Sequence, residues 1–403
     1  MEGLHILSIG LLKRRDKRVI QFKKGLIILF SFLLVLSFPV SSKDIKTNSN
    51  KTIYVDDDGG ADYLKIQDAI DNANNNDTIF VYSGTYYENL VVNKTLTLIG
   101  EDKNKTIIDG KKENNTVELA KEKIQISNFT IINSSIDKWY NAGIRISSSN
   151  CIINDNIIKE NMLGVFGKRV ENITIFNNKF YNDSITFSLY DSENQITQFS
   201  EKYFIHNIYN NSVNSRKIYY YKNQEDKTIT EDAGQVIIVN CKNITVKNAN
   251  LSNADYSCVL VNSSKCLIKN STISNCDGMI WLTKSNNNKI IENQINNNFE
   301  GICIDCQSKR NLVKNNNITN NRFCGIIVED RSNFNRIIEN NFIGNNKKTP
   351  LRQAYFKFCF MNIWHKNYWN EKRILPKLII GNIRTKIPWF NFDLRPSFKE
   401  IEI

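Results

Sequence analysis

Histidine is almost missing from this chain. Its 403 residues hold three: His5, His206 and His365. His5 sits in a basic and apolar N-terminal stretch. Ser-His-Asp catalysis would therefore rest on His206 or His365, and no Gly-x-Ser-x-Gly elbow is present to present a serine. There is no Met-rich or His-rich tract. The nine cysteines form a single Cys-x-x-Cys, Cys303 and Cys306, rather than the two pairs of a zinc site. Beyond residue 42 no apolar run approaches the ~20 residues needed to span a bilayer. Positive charge is also lacking where a nucleic-acid binder needs it. The formal charge is +12, yet residues 1–42 hold seven basic and two acidic residues and residues 345–403 hold twelve and four. The body between them is left at −1. A nucleic-acid partner along the body is excluded on that ground.

What the chain has is a repeat. Asn248, Asn270, Asn293, Asn315 and Asn340 follow one another at 22, 23, 22 and 25 positions. Each is preceded by a short apolar pair, such as Leu267-Ile268 or Ile337-Ile338. Each is followed by a polar stretch, often a glycine (Gly278, Gly301, Gly325), and a second apolar run. So short a period has no room for two helices. Brief runs of Ile, Val and Leu alternating with Asn, Ser and Lys read as strands. Several short strands per period define an all-β, right-handed parallel β-helix with about 22–23 residues per coil. Asparagine fits this fold twice over. It tolerates the left-handed backbone of a sharp bend, and stacked amides bond up the ladder at the ~4.8 Å strand spacing.

The ends differ from the middle. In residues 1–42 a basic stretch precedes an apolar run from Leu26 to Phe38 and a small-residue Val40-Ser41-Ser42 site. That is the form of a cleavable signal peptide, with an uncleaved anchor as the alternative. Export follows, to the surface, the envelope or outside the cell. Any membrane contact is expected through residues 1–42, and the protein is expected to be a monomer. The β-helix is expected over 43–345, broken by an irregular insertion at about 183–235, where the spacing fails. Residues 346–403 leave the repeat and read as a basic C-terminal cap rich in aromatics. Its charge could meet an anionic envelope polymer or lipid headgroups; the plainer reading is a solvated tail. Near the start, Asp62 is expected to cap a helix bearing Tyr63, Ile66, Ala69, Ile70 and Ala73 on one face, which would cover the first rung. Cysteines beside strand residues, such as Cys258, Cys303 and Cys324, read as buried free thiols. Sequons such as Asn93, Asn172 and Asn243 permit glycosylation.

Several stretches carry a family resemblance. Ile66-Gln67-Asp68-Ala69-Ile70, Asn76-Asp77-Thr78-Ile79-Phe80-Val81, Gly84-Thr85-Tyr86, Glu88 and Leu96-Thr97-Leu98-Ile99-Gly100 resemble the opening of pectin-lyase-like right-handed β-helix proteins. Later rungs resemble the NosD-type and carbohydrate-binding/sugar-hydrolase (CASH) β-helix domains. Lys217 to Asn223, Asp232 to Cys241, Asn243 to Val246 and the aromatic positions Trp364, Trp369 and Trp389 are similar to exported NosD-like proteins. The resemblance spans about residues 50–400. It implies the fold, and with it an envelope role towards polysaccharide, polysaccharide lyase or glycoside hydrolase chemistry, or copper handling of the NosD type. The Gly-His-Gly of polygalacturonase-like relatives is absent, which weighs against hydrolysis.

Three sets of residues are candidates for chemistry. Asp255, Asp277 and Glu300 precede the same strand in successive rungs. Stacked ~5 Å apart, they would suit a two-carboxylate glycosidase or an oxygen site for Ca²⁺. Asp305 and Glu329 stack in the same way, and Asp56-Asp57-Asp58 makes an acidic turn. Against each stands the plain reading of solvent-facing turn acids. Tyr219, Tyr220 and Trp281 are candidate sugar platforms, with burial in the stack as the alternative. Cys359, Met361 and His365 form the one local cluster of soft donors for copper, although Phe358, Phe360 and Trp364 around them suggest a hydrophobic cap. The reading favoured is a non-catalytic envelope protein offering a long flank to an extracellular polysaccharide or envelope polymer.

Overall fold

A computed structural model describes residues 50–138, 140–188, 199–346, 353–384 and 387–403. The expected targeting segment, residues 1–42, lies outside these. No described helix is long and apolar enough to cross a membrane. The chain winds as a right-handed parallel β-helix of about 14 turns. One coil shows the rule. Lys289–Ile291, Gln294–Asn296 and Glu300–Asp305 are its three strands. They pair in parallel with Leu312–Lys314, Asn317–Thr319 and Cys324–Glu329 of the next coil. The two short strands each turn one residue inward, Ile290 and Ile295, and the long one turns in Ile302 and Ile304. Period-two alternation thus gives every coil a small apolar filling that stacks on its neighbours' filling.

The chain builds two such stacks. One runs from Thr52–Val55 to Asn207–Tyr209 and Ser212–Val213, and the other from Arg216–Lys222 to Ile387–Asp393. Among the described residues one strand pairing joins them, and it is antiparallel: Val213 opposite Arg216. Asn214 and Ser215 between them have φ of 48° and 65°, the two left-handed residues of a type I′ hairpin turn. Past this turn the second stack lays a flank over the end of the first. Val259, Val261, Trp281 and Cys303 point out of their own sheet, yet they are buried in one core with Ile185, Phe187, Phe204 and Ile208. The hairpin falls within residues 183–235, expected from sequence as an irregular insertion. Their described part is the joint between two stacks.

Asparagine's two roles fall on two adjacent columns, which the sequence spacing had merged. Asn248, Asn270, Glu292, Asn315 and Glu339 hold the left-handed bend, with φ between 50° and 58°. The next residue in each coil, Ser271, Asn293, Asn316 and Asn340, is buried and carries the ladder. Asn316 Oδ1 accepts both the backbone N–H and the side-chain amide of Asn293, at 3.0 and 2.9 Å. Its own amide donates to Ile290 O and to Asn340 Oδ1. Buried backbone groups at the corners thereby find partners that no strand supplies. The column continues through Asn367 to Asp393, which takes the N–H and amide of Asn367 and the indole N–H of Trp369.

The helix forms over Ile66–Asn72 and buries Ile66, Ala69 and Ile70. Its cap is not Asp62, which instead accepts the N–H of Tyr54. Glu88 reaches in from the next coil, and its two oxygens take the N–H groups of Ile66 and Gln67 at 2.9 Å each. A carboxylate there satisfies orphan donors and faces the positive end of the helix.

Candidate functional site

The three acids expected to stack are not brought into one column. In the paired strands Cys258 lies opposite Ile280 and Ile280 opposite Ile302. Three residues before these stand Asp255, Asp277 and Phe299, so Glu300 is one position out of line. Asp255 is fully buried at the joint. Its Oδ2 accepts the N–H groups of Gly164 and Ser184, each at 2.9 Å, and its Oδ1 has no hydrogen-bond partner. Burial pushes its carboxyl up to about 7. Burial also raises that of Asp183 well above the usual range, and the charge of Asp255 adds to it. Asp183 in turn accepts the N–H and amide of Asn161. Gln235 acts alongside, exchanging two hydrogen bonds with the backbone of Ile185. Asp255, Asp183 and Gln235 therefore close the free backbone edge of the first stack. Glu300, also raised to about 7 by burial and then by Asp305, is separated from them.

Two of the candidate sugar platforms are interior or engaged rings, and so is the third. Tyr219 lies in the core of the second stack and donates to Glu231. Tyr220 donates to Phe204 O at 2.6 Å and accepts the N–H of His206 at 2.8 Å. Trp281 is buried under Phe204 and Tyr256, and its indole N–H reaches Asp305 at 2.9 Å. His206 has a similar part. Burial lowers it to about 4; Nδ1 accepts from Ile173 N while Nε2 faces Tyr203 O. That pairing describes a neutral ring fixed by backbone groups, not a general base.

An exposed platform exists elsewhere. Phe299 and Phe323 stack at 5.6 Å with 11° between their planes, and each is 43% exposed. Arg322 lies 5.7 Å from the Phe299 ring and pairs with Asp277 at 2.7 Å. Of the acids singled out from sequence, Asp277 is the one at an accessible surface beside aromatic rings. The signal was legible: each phenylalanine stands two residues before a glycine of its coil, Gly301 or Gly325. The stacking of Asp305 with Glu329 is also present, and Cys303 joins them with donor atoms within 4.8 Å of one another. Burial raises Glu329 to about 8, with Asp305 adding to it. The Asp56–Asp58 run gathers three carboxylates as well. There Asp56 accepts Asp58 N and Asp57 accepts Thr85 N, the bonds of a turn.

The fold so described is that of right-handed parallel β-helix proteins. Within that class, the model of one family, described as periplasmic copper-binding protein (NosD), matches residues 196–384. Over that stretch, a little under half of the chain, it is similar to that family, and the described chain as a whole is a parallel β-helix. No curated protein is similar enough to match. Among solved structures it is similar to the Azotobacter vinelandii mannuronan C-5 epimerase AlgE4 A-module, at 15% identity over 68% of this chain and 89% of that one, TM-score 0.30. A mannuronic acid specific polysaccharide family 6 lyase from human gut microbiota shows 12% identity over 79% and 80%, TM-score 0.33. Pectin methylesterase from carrot shows 13% over 70% and 82%, TM-score 0.27. At these identities and scores none of their activities transfers to this chain.

Copper, which the family's description implies, does not find the expected donors together. The Cys359 thiol is buried, donates to Lys357 O and is pushed up to about 12 by burial. It occupies the end of a small-residue ladder in which Cys241 N meets Ser263 Oγ, Ser263 N meets Ser285 Oγ and Ser285 N meets Ser308 Oγ. Met361 is 70% exposed, and His365 alternates with the inward Trp364. One donor faces the core while the other two face away from it.

Proposed function

We propose that this chain is an exported, non-catalytic envelope protein that binds polysaccharide along the flank of its second stack. The observation that supports this most is the platform of Phe299 and Phe323 with the Arg322–Asp277 pair at its edge. Flat apolar rings match the C–H face of a sugar, and a guanidinium beside a carboxylate supplies donors and acceptors for its hydroxyls or acid groups. An exposed aromatic patch of this kind on a soluble surface marks an interaction site. The family's periplasmic description agrees with an envelope location. A non-catalytic role agrees with the acids: Asp255 holds backbone N–H groups, Asp277 holds Arg322, and Glu300 is out of line with both.

The test is retention on acidic and neutral envelope polysaccharides, first by glycan array and then by depletion. Phe299→Ala with Phe323→Ala is expected to weaken retention about tenfold, a loss of ~1.4 kcal/mol. The circular dichroism spectrum should not change, since both rings lie outside the core. Equal retention by the double variant would remove the platform from the account. Release of reducing ends or unsaturated products by the wild type would replace binding with lyase or hydrolase chemistry.

A further inference from the structure

The last strand pair, Lys377–Arg384 against Ile387–Asp393, has two unlike faces. One face is turned to the stack: Lys377 opposite Asp393, and Ile379 opposite Asn391, with Lys377, Ile379 and Asp393 buried. The opposite face carries Leu378 across from Phe392 and Ile380 across from Phe390. Phe390 and Phe392 are 46% and 49% exposed. Leu375 and Leu394, at the base of the pair, are more exposed still; Trp389, opposite Gly381, alternates onto the other side with Asn391 and Asp393 but is 48% exposed near the hairpin tip. This sheet face has no partner among the described residues. The segment that carries it also differs in charge from the body of the β-helix. Twelve Lys and Arg against four acids give residues 345–403 a net +8, while the body is at −1.

We infer that this C-terminal hairpin is a docking face for an anionic lipid surface. Cross-strand apolar pairs can enter the acyl boundary, an exposed indole at the hairpin tip suits headgroup level, and the net positive charge of the segment favours acidic headgroups. The alternatives fit less of the surface. A polyanionic glycan would use the cations and leave the apolar face in water. A second copy would bring +8 against +8.

Trp389 makes the inference testable in the full chain. Vesicles of equal phosphatidylcholine and phosphatidylglycerol with brominated acyl chains should quench its emission. Trp281, Trp364 and Trp369 are buried and should stay bright, and the fifth tryptophan, Trp139, is changed to Phe in every form tested. Residues 1–42 contain no tryptophan, so adsorption through that segment is silent in this assay. The quench should vanish in Trp389→Phe. It should fall at least about tenfold in apparent affinity in Phe390→Asp with Phe392→Asp, and it should weaken on raising salt, which screens headgroup attraction. Pure phosphatidylcholine should quench little. No quench with the acidic vesicles, or the same quench in Trp389→Phe, would overturn the inference. So would a soluble dimer of the wild type that the double variant abolishes, because the face would then belong to a second copy.

Discussion

At the scale of single residues, adjacent asparagines do opposite work. Asn315 sits in the left-handed region with φ 52° and serves through its backbone tolerance. Asn316 is buried and serves through its amide. Their substitutions should separate cleanly. Asn315→Gly relieves a mild backbone penalty and should leave the melting temperature within a degree or two. Asn316→Ala strips an acceptor from Asn293 N and a donor from Ile290 O. Each buried group left without a partner costs about 1–3 kcal/mol, so a loss of several degrees is expected by thermal denaturation. If both variants melt alike, the ladder is not carrying the corners. The same distinction shows why the repeat was read one residue out of step. Asn248, Asn270 and Asn315 belong to the bend, whereas Asn293 and Asn340 belong to the ladder. Glu292 and Glu339 hold the bend where asparagine does not, and sequence spacing cannot separate two neighbouring columns that favour the same residue.

Elements were legible wherever the signal is local. The strands follow from alternation, and the helix follows from Ile66, Ala69 and Ile70. Its cap did not, because Glu88 is distant in sequence and the register of the next coil alone brings it to Ile66 N. Glu88→Ala should therefore cost about 1 kcal/mol, the usual worth of a lost N-cap, whereas Asp62→Ala should leave the helix end unchanged. Comparing the two by denaturant unfolding decides between the caps. Apolar pairs had the same one-residue ambiguity. Ile268 aligns with Ile290, Val313 and Ile337, so Ile337 is the core residue of its coil and Ile338 stands on the other side of the strand. Of the candidate sugar platforms, Trp281 is lost for a further reason. Trp281 does face out of its own sheet, as alternation says, but the first stack covers it. No pattern within a coil reports that a second body lies over the coil's outer face.

At the scale of the whole molecule, the joint concentrates buried acid. Asp183 and Asp255 lie there, and Glu300 and Glu329 lie further along the second stack. All four are raised by burial before any other cause, Asp255 and Glu300 to about 7 and Glu329 to about 8. Between the ordinary carboxyl range near 4 and these values, the folded chain holds protons that the unfolded chain has released. Stability must then fall as pH rises through that window. His206, lowered to about 4, acts in the opposite sense below its ordinary 6.5, but it is one group against four. The melting temperature should therefore be higher near pH 5 than at pH 8. Two variants of Asp255 locate the effect. Asp255→Asn can keep an oxygen on Gly164 N and Ser184 N and removes a charge beside Asp183, so it should raise the melting temperature at pH 8 and leave it nearly unchanged at pH 5. Asp255→Ala removes the acceptor itself and should lower the melting temperature at both pH values, through a stability loss of about 2 kcal/mol or more for two buried N–H groups. A fall at both pH values in Asp255→Asn would mean that the ionised carboxylate itself clamps the stacks together, and the joint would then tighten as pH rises.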